Sequence, residues 1–144
     1  LGAGSLGSTN GGALAKAGNE VHFVGRAPHM NAINENGLVM VTPTGEETVR
    51  LSGHTTPDGI GPCDLVIVLC KAFVTAKTME EGRGLVGPNT TVMSLQNGLG
   101  AEDVLCDCVG AEHGIGGESY RRNAAGAGPR AGYHSWQGYL YRRA

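Results

Sequence analysis

The chain has 144 residues, a net charge of −2 and 40% apolar residues, enough for a single domain around one buried core. The near balance of charge, with a pI of ≈ 6.2, argues against a nucleic-acid or membrane-surface partner. No apolar run approaches the roughly 20 residues of a spanning helix, and no signal peptide is read. The four cysteines include no C-x-x-C pair, so they read as reduced thiols of a cytoplasmic protein, most of them small core residues.

Residues Leu1-Gly2-Ala3-Gly4-Ser5-Leu6-Gly7 form a G-x-G-x-x-G pattern. In a dinucleotide-binding βαβ unit the first glycine makes the tight turn and the second admits a pyrophosphate. The third lets the helix pack close to the strand. The strand before this turn is nearly absent, and the chain reads as cut inside it.

Ser5 to Ala17 then reads as a helix closed by Gly18. Gly11 and Gly12 lie inside it, each at a propensity cost of roughly 0.5–1 kcal/mol relative to alanine. Glycine supplies 25 of the 144 residues, well above the roughly 7% of an average protein, and a soft domain is expected.

Val21 to Val24 reads as a strand, and a brief helix from Pro28 to Asn36 stops at Gly37. Leu38 to Val41 and Glu47 to Leu51 flank the turn Thr42-Pro43-Thr44-Gly45 and predict a hairpin. Ser52 to Pro62 is polar and reads as loop. Leu65 to Cys70 is a continuous apolar run, which predicts a central parallel strand buried on both faces. A helix from Phe73 to Gly84, a strand from Thr91 to Leu95, a turn from Gln96 to Gly100 and a helix from Ala101 to Val109 follow. Beyond His113 the pattern weakens, with short strands expected at Tyr133 to Trp136 and Tyr139 to Tyr141. The alternation predicts an α/β, Rossmann-type, doubly wound and mostly parallel sheet.

Ligands of such sheets bind beyond the carboxyl ends of the strands. That rule nominates Gly2 to Gly7, Gly25-Arg26, Cys70-Lys71-Ala72 and Gln96-Asn97-Gly98. An NAD site usually carries a carboxylate at the end of the second strand. Arg26 stands there instead, and a guanidinium suits the 2′-phosphate of NADP. Lys71 follows a buried strand directly; it can meet a phosphate, a ribose hydroxyl or a carboxylate, or serve as a surface lysine opening a helix. Asn97 suits ribose or carbonyl recognition, and equally a plain Asn-Gly turn. The five histidines show no metal spacing and read as structural or surface groups.

These residues together resemble the ketopantoate reductase (2-dehydropantoate 2-reductase) family. The resemblance rests on Gly2-Ala3-Gly4-Ser5-Leu6-Gly7, Val24-Gly25-Arg26, Ala32 to Leu38, Asp64 to Ala72 and Ser94 to Gly100. It covers residues 1–115 and stops there, leaving 116–144 poorly matched. It implies an NADP-binding Rossmann domain at 1–144 in an enzyme that reduces 2-dehydropantoate to pantoate with NADPH, on the route to pantothenate and coenzyme A. It also implies that Gly2, Ala3, Gly4, Ser5, Leu6, Gly7, Arg26 and Lys71 bind NADP, with Asn97 touching both cofactor and the 2-oxo acid substrate. In the family the catalytic lysine lies in a C-terminal helical domain that this chain does not contain, so the fragment alone is expected to be inactive. The alternatives are a related reductase of another 2-oxo acid and a noncatalytic NADP-binding module.

A shift of reading frame near residues 116–118 is expected to account for the weak tail, the alternative being codon degeneracy, which makes short matches easy. Read one base forward, the codons for Asn123 to Pro129 permit Thr-Leu-Leu-Gly-Pro-Gly, and those for Tyr139 to Arg143 permit Ile-Tyr-Ile-Gly-Glu, both resembling the family's next strands. Sequencing the coding DNA is expected to show both phrases in the shifted frame. A sequence that yields neither refutes the shift.

Overall fold

The computed structural model describes residues 1–42, 45–96, 100–120 and 137–141. In chain order the elements begin with α1 (Ser5–Lys16), β1 (His22–Val24), α2 (Ala27–Asn36), β2 (Leu38–Thr42), β3 (Gly45–Val49) and β4 (Ser52–His54). They continue with β5 (Leu65–Val68), a 3-10 turn (Ala72–Val74), α3 (Thr75–Glu81), a second 3-10 turn (Arg83–Leu85) and β6 (Thr91–Ser94). The chain closes with α4 (Ala101–Val109), β7 (Gly114–Tyr120) and β8 (Gln137–Tyr141). This is an α/β architecture. β1 pairs parallel with β4, and β5, β6 and β7 pair in parallel with β8 antiparallel at the edge. β2 and β3 form the expected antiparallel hairpin, although turn residues 43–44 lie outside the described residues.

The single sheet expected from the sequence is present as two parallel groups joined by two residues. The Leu1 α-amino group donates to the Ile67 carbonyl at 2.7 Å, and Leu69 N–H donates back to Leu1 O at 2.9 Å. On the other side, Gly2 N–H donates to Val24 O at 3.0 Å. Leu1 and Gly2 therefore occupy a strand position between β1 and β5. Among the described residues the buried apolar side chains fall into two clusters rather than one core. Phe23, Met30, Ile33, Leu38, Met40 and Val49 lie in the first half; Val66, Val68, Met79, Leu85, Val92 and Leu105 lie in the second.

Several elements differ from the sequence reading, each for a tertiary reason. The 65–70 run is not buried on both faces: Val66 and Val68 are buried, but Leu65 on the alternate face is 40% exposed. The stretch 52–62 is not all loop. Ser52–His54 pairs with β1 although it has no apolar run, and Asn34 closes its outer edge by donating to Gly53 O and accepting from Gly53 N–H, both at 2.8 Å. The helix expected over 73–84 is broken into 3-10, α and 3-10 segments. Gly82 caps the α segment, and its carbonyl accepts from Leu85 N–H at 2.9 Å. Gly114–Tyr120 is a strand that the weak tail pattern did not predict, and β8 starts at Gln137; residues 133–136 lie outside the described residues.

The glycines of α1 are packing residues, not soft spots. A Cβ on Gly11 would sit 2.0 Å from the Phe23 ring, and one on Gly12 would sit 2.5 Å from Met40 Sδ. Both glycines are buried, so the helix lies down on β1 and β2 at a distance that no larger residue allows. Gly11→Ala is therefore expected to destabilise by about 1–3 kcal/mol through overpacking, opposite in sign to the roughly 1 kcal/mol gain from helix propensity. Urea unfolding of the variant reads the sign directly, and a stabilised Gly11→Ala would refute the packing assignment.

Candidate functional site

The turn from Leu1 to Gly4 is fastened at the carboxyl ends of two strands, where an α/β sheet binds ligands. Ala3 N–H joins Gly2 N–H on Val24 O, at 3.3 and 3.0 Å. On the β5 side, a Cβ at Gly2 would lie 2.5 Å from Cys70 N, and Gly2 itself has φ +86°. Gly7 is fixed by the turn: a Cβ there would meet Gly2 O at 2.6 Å. Gly2 and Gly7 thus have reasons internal to the fold. Gly4 has none, since its Cβ would meet nothing within 4 Å and its φ is an ordinary −84°.

Gly4 is also the N-cap of α1, with no side-chain cap and no acidic residue in the first turn. The first N–H groups of a helix have no intrahelical partner and carry the positive end of its dipole. Gly4 and Ser5 are exposed, while Ala3 and Leu6 are half-buried, with Ala3 packed on the first cluster. The result is an uncapped, solvent-facing helix N-terminus at the strand ends, suited to an anion.

Arg26 follows β1 and is the N-cap of α2, with its side chain exposed. Among the described residues it makes no ion pair or side-chain hydrogen bond. Nearby, Ser8 Oγ of α1 lies 3.2 Å from His29 Nε2 on the first turn of α2, linking the two helix starts. Lys71 is exposed and caps a 3-10 turn rather than opening an α-helix. Phe73, two residues on, is 88% exposed, a flat apolar face beside that lysine. Asn97 lies outside the described residues. The glycine turn is brought against Val24 and Gly25 at the end of β1 and against Cys70 after β5.

Gln96, nominated from the sequence only as part of the strand-end turn, is a buried structural amide. It is 6% exposed and donates through Nε2 to Cys70 O and to Thr75 Oγ1, both at 2.8 Å. Its Oε1 accepts from Ser94 Oγ at 3.1 Å, and its backbone N–H donates to the same hydroxyl at 3.2 Å. One amide thereby fixes the end of β6, the turn after β5 and the start of α3. The available signal was an amide side chain placed directly after a buried strand, where its polar groups need partners.

The described histidines make structural contacts, and His134 lies outside the described residues. His22 Nδ1 lies 3.0 Å from His54 Nε2, His22 Nε2 lies 3.2 Å from Glu20, and His113 Nδ1 lies 2.8 Å from Thr90 O. No group able to hold a metal occurs among the described residues, and all four cysteines are free. Burial, reinforced by Asp64, pushes the Cys63 thiol up, so it resists the thiolate form that makes a cysteine nucleophilic.

Comparison with known proteins follows this geometry. The family model described as ketopantoate reductase PanE/ApbA matches residues 1–141, further than the motifs alone reach. A 2-dehydropantoate 2-reductase of Pyrococcus abyssi is 38% identical over 107 residues, covering 74% of this chain and 35% of the relative. One from Halobacterium salinarum is 40% identical over 114 residues, covering 77% and 37%. The crystal structure of 2-dehydropantoate 2-reductase from Geobacter metallireducens superposes with a TM-score of 0.84 at 35% identity, covering 99% of this chain and 48% of that one. A ternary structure of D-mandelate dehydrogenase with NADH and anilino(oxo)acetate gives 0.74 at 31% identity, covering 82% and 39%. The chain spans about a third to a half of the length of these relatives.

Replacing Gln96 by leucine removes its polar partners from Cys70 O and Thr75 Oγ1. A cost of about 1–3 kcal/mol is expected for buried groups left unpaired, read as a lower midpoint in chemical denaturation. An unchanged midpoint would show that the amide network does not hold the strand ends.

Proposed function

Because the chain belongs to the ketopantoate reductase family, we propose that residues 1–144 are the NADP-binding domain of an enzyme that reduces 2-dehydropantoate to pantoate with NADPH. The observation that carries this reading is the open space at Gly4. Its neighbours Gly2 and Gly7 are required by backbone contacts, but a side chain at Gly4 would project only into free volume at an uncapped helix end. A glycine needed there by something outside the fold fits the close approach of a pyrophosphate.

Each residue of the proposed site then has a defined task. The N–H groups at the start of α1, in the turn of Gly2, Ala3, Gly4, Ser5, Leu6 and Gly7, hold the pyrophosphate by dipole and hydrogen bonding. Arg26 grips the 2′-phosphate, its guanidinium being exposed and unpaired among the described residues. Lys71 adds a cation to the cofactor from the end of β5. Asn97 contacts both the cofactor and the substrate carbonyl. The cofactor, when bound, supplies the hydride. The acid that protonates the resulting oxygen is the family's lysine in a C-terminal helical domain outside residues 1–144.

The D-mandelate dehydrogenase neighbour, solved with NADH, supports a second reading: a related reductase of another 2-oxo acid that prefers NADH. Calorimetry on the chain separates the two. NADPH is expected to bind more tightly than NADH, and Arg26→Ala is expected to remove most of the difference. One charge-assisted contact of about 1.5–3 kcal/mol corresponds to roughly 10–100-fold in affinity. Equal affinities for the two cofactors would sink the NADP assignment. Gly4→Ala is expected to weaken dinucleotide binding while leaving the unfolding midpoint in place. Residues 1–144 alone are expected not to turn over 2-dehydropantoate, and cofactor oxidation above background would overturn that division of labour.

A further inference from the structure

The turns that open α1 and α2 lie against each other at the carboxyl end of β1. A Cβ on Gly25, the residue after β1, would be 3.3 Å from Ala3 Cβ in the glycine turn. Arg26 is the N-cap of α2 and His29 its third residue, two positions whose side chains are neighbours at a helix start. His29 N–H donates to Arg26 O at 3.0 Å. From the other helix, Ser8 donates its N–H to Gly4 O at 2.8 Å and holds its Oγ 3.2 Å from His29 Nε2. The imidazole is thereby stationed between the start of α1 and Arg26.

Charge at this junction is one-sided. Neither helix has an acidic residue in its first turn, and among the described residues no carboxylate pairs with Arg26 or His29. The other charged and titratable groups on α2 and the elements packed against it stand elsewhere. His54 of β4 lies on His22, Lys16 of α1 pairs with Glu47, and Glu35 is in the last turn of α2. A helix start disfavours cations, so two basic side chains there do nothing for the fold. An anion between them gains from both and from the dipole. His29 is exposed, and its Nδ1 has no hydrogen-bond partner among the described residues. The Ser8 hydroxyl can accept from a protonated Nε2, which leaves Nδ1–H to donate outward.

Resting on the NADP reading above, we propose that His29 is a second specificity residue of the site: its imidazolium donates from Nδ1 to the 2′-phosphate that Arg26 holds, so that the preference for NADPH over NADH strengthens as pH falls. Arginine keeps its charge at every working pH, whereas histidine changes charge between pH 5 and 8. Arg26 therefore supplies the constant part of the preference and His29 the variable part. The Ser8 hydroxyl can accept from the ring or donate to it, so it keeps the imidazole in place when the proton is lost. NADH carries no 2′-phosphate, and its affinity is indifferent to the charge on His29.

Calorimetry of NADPH and NADH on the 144-residue chain, at about pH 6 and about pH 8, tests this. A phosphate monoester itself takes up a proton near pH 6, so variants are compared at one pH. His29→Gln keeps an amide for Ser8 and cannot be charged. It is expected to lower the ratio of NADPH to NADH affinity roughly fivefold at the lower pH, to leave it unchanged at the higher pH, and to leave NADH binding alone at both. His29→Lys carries its charge at both and is expected to hold the ratio high at the upper pH. The proposal is overturned if His29→Gln retains the full ratio at the lower pH, or weakens NADH and NADPH equally. A preference that depends on Arg26 but not on His29 sinks this inference alone. A chain with no preference for NADPH, on which Arg26→Ala has no effect, sinks the NADP assignment with it.

Discussion

The backbone of Leu1 and Gly2 hydrogen-bonds to β5 on one side and β1 on the other, and the rest of the structure is arranged around that double attachment. It sets the distance between the two parallel groups of strands. It also fixes the direction in which the chain leaves the sheet, because Gly2, at φ +86°, turns so close to the end of β5 that a Cβ there would lie 2.5 Å from Cys70 N. Everything the turn does afterwards depends on this anchor. The helix that follows can lie on β1 only because Gly7, Gly11 and Gly12 present no side chains to Gly2 O, Phe23 and Met40.

The candidate site is a consequence of the same geometry. Strand ends that are held together leave loops facing one way, and a helix begun at Gly4 points its uncapped N–H groups into that space. Opposite charge is favoured there by the helix dipole, and Arg26 and Lys71 are exposed after β1 and β5. The buried Gln96 keeps the floor of the site rigid by tying Cys70, Thr75 and Ser94 together. A ligand approaching this face meets fixed backbone dipoles, whose ordering cost is met by the fold.

Much of this was legible from local patterns. The glycine turn, the helix beginning at Ser5 and stopping before Gly18, the helix stopped by Gly37, the hairpin strands and the α4 helix all rest on steric or periodic signals that act within a few residues. β4 was not legible, because Ser52-Gly53-His54 has no strand pattern and is held by pairing to β1 and by Asn34 across 19 positions of sequence. The packing role of Gly11 and Gly12 was not legible for the same reason: it depends on Phe23 and Met40, not on anything within α1. Gln96 looked like part of a turn until its bonds to Cys70, Thr75 and Ser94 were seen.

The chain by itself determined which residues could make a dinucleotide turn, where its helices start and stop, and which family its motifs resemble. These are properties of backbone sterics and short-range periodicity, which travel with the residues. Only the tertiary structure decided that Gly4 differs from Gly2 and Gly7 and that the apolar side chains divide into two clusters. Those facts depend on which surfaces meet, and contact between positions dozens of residues apart leaves no local trace in the order of the amino acids.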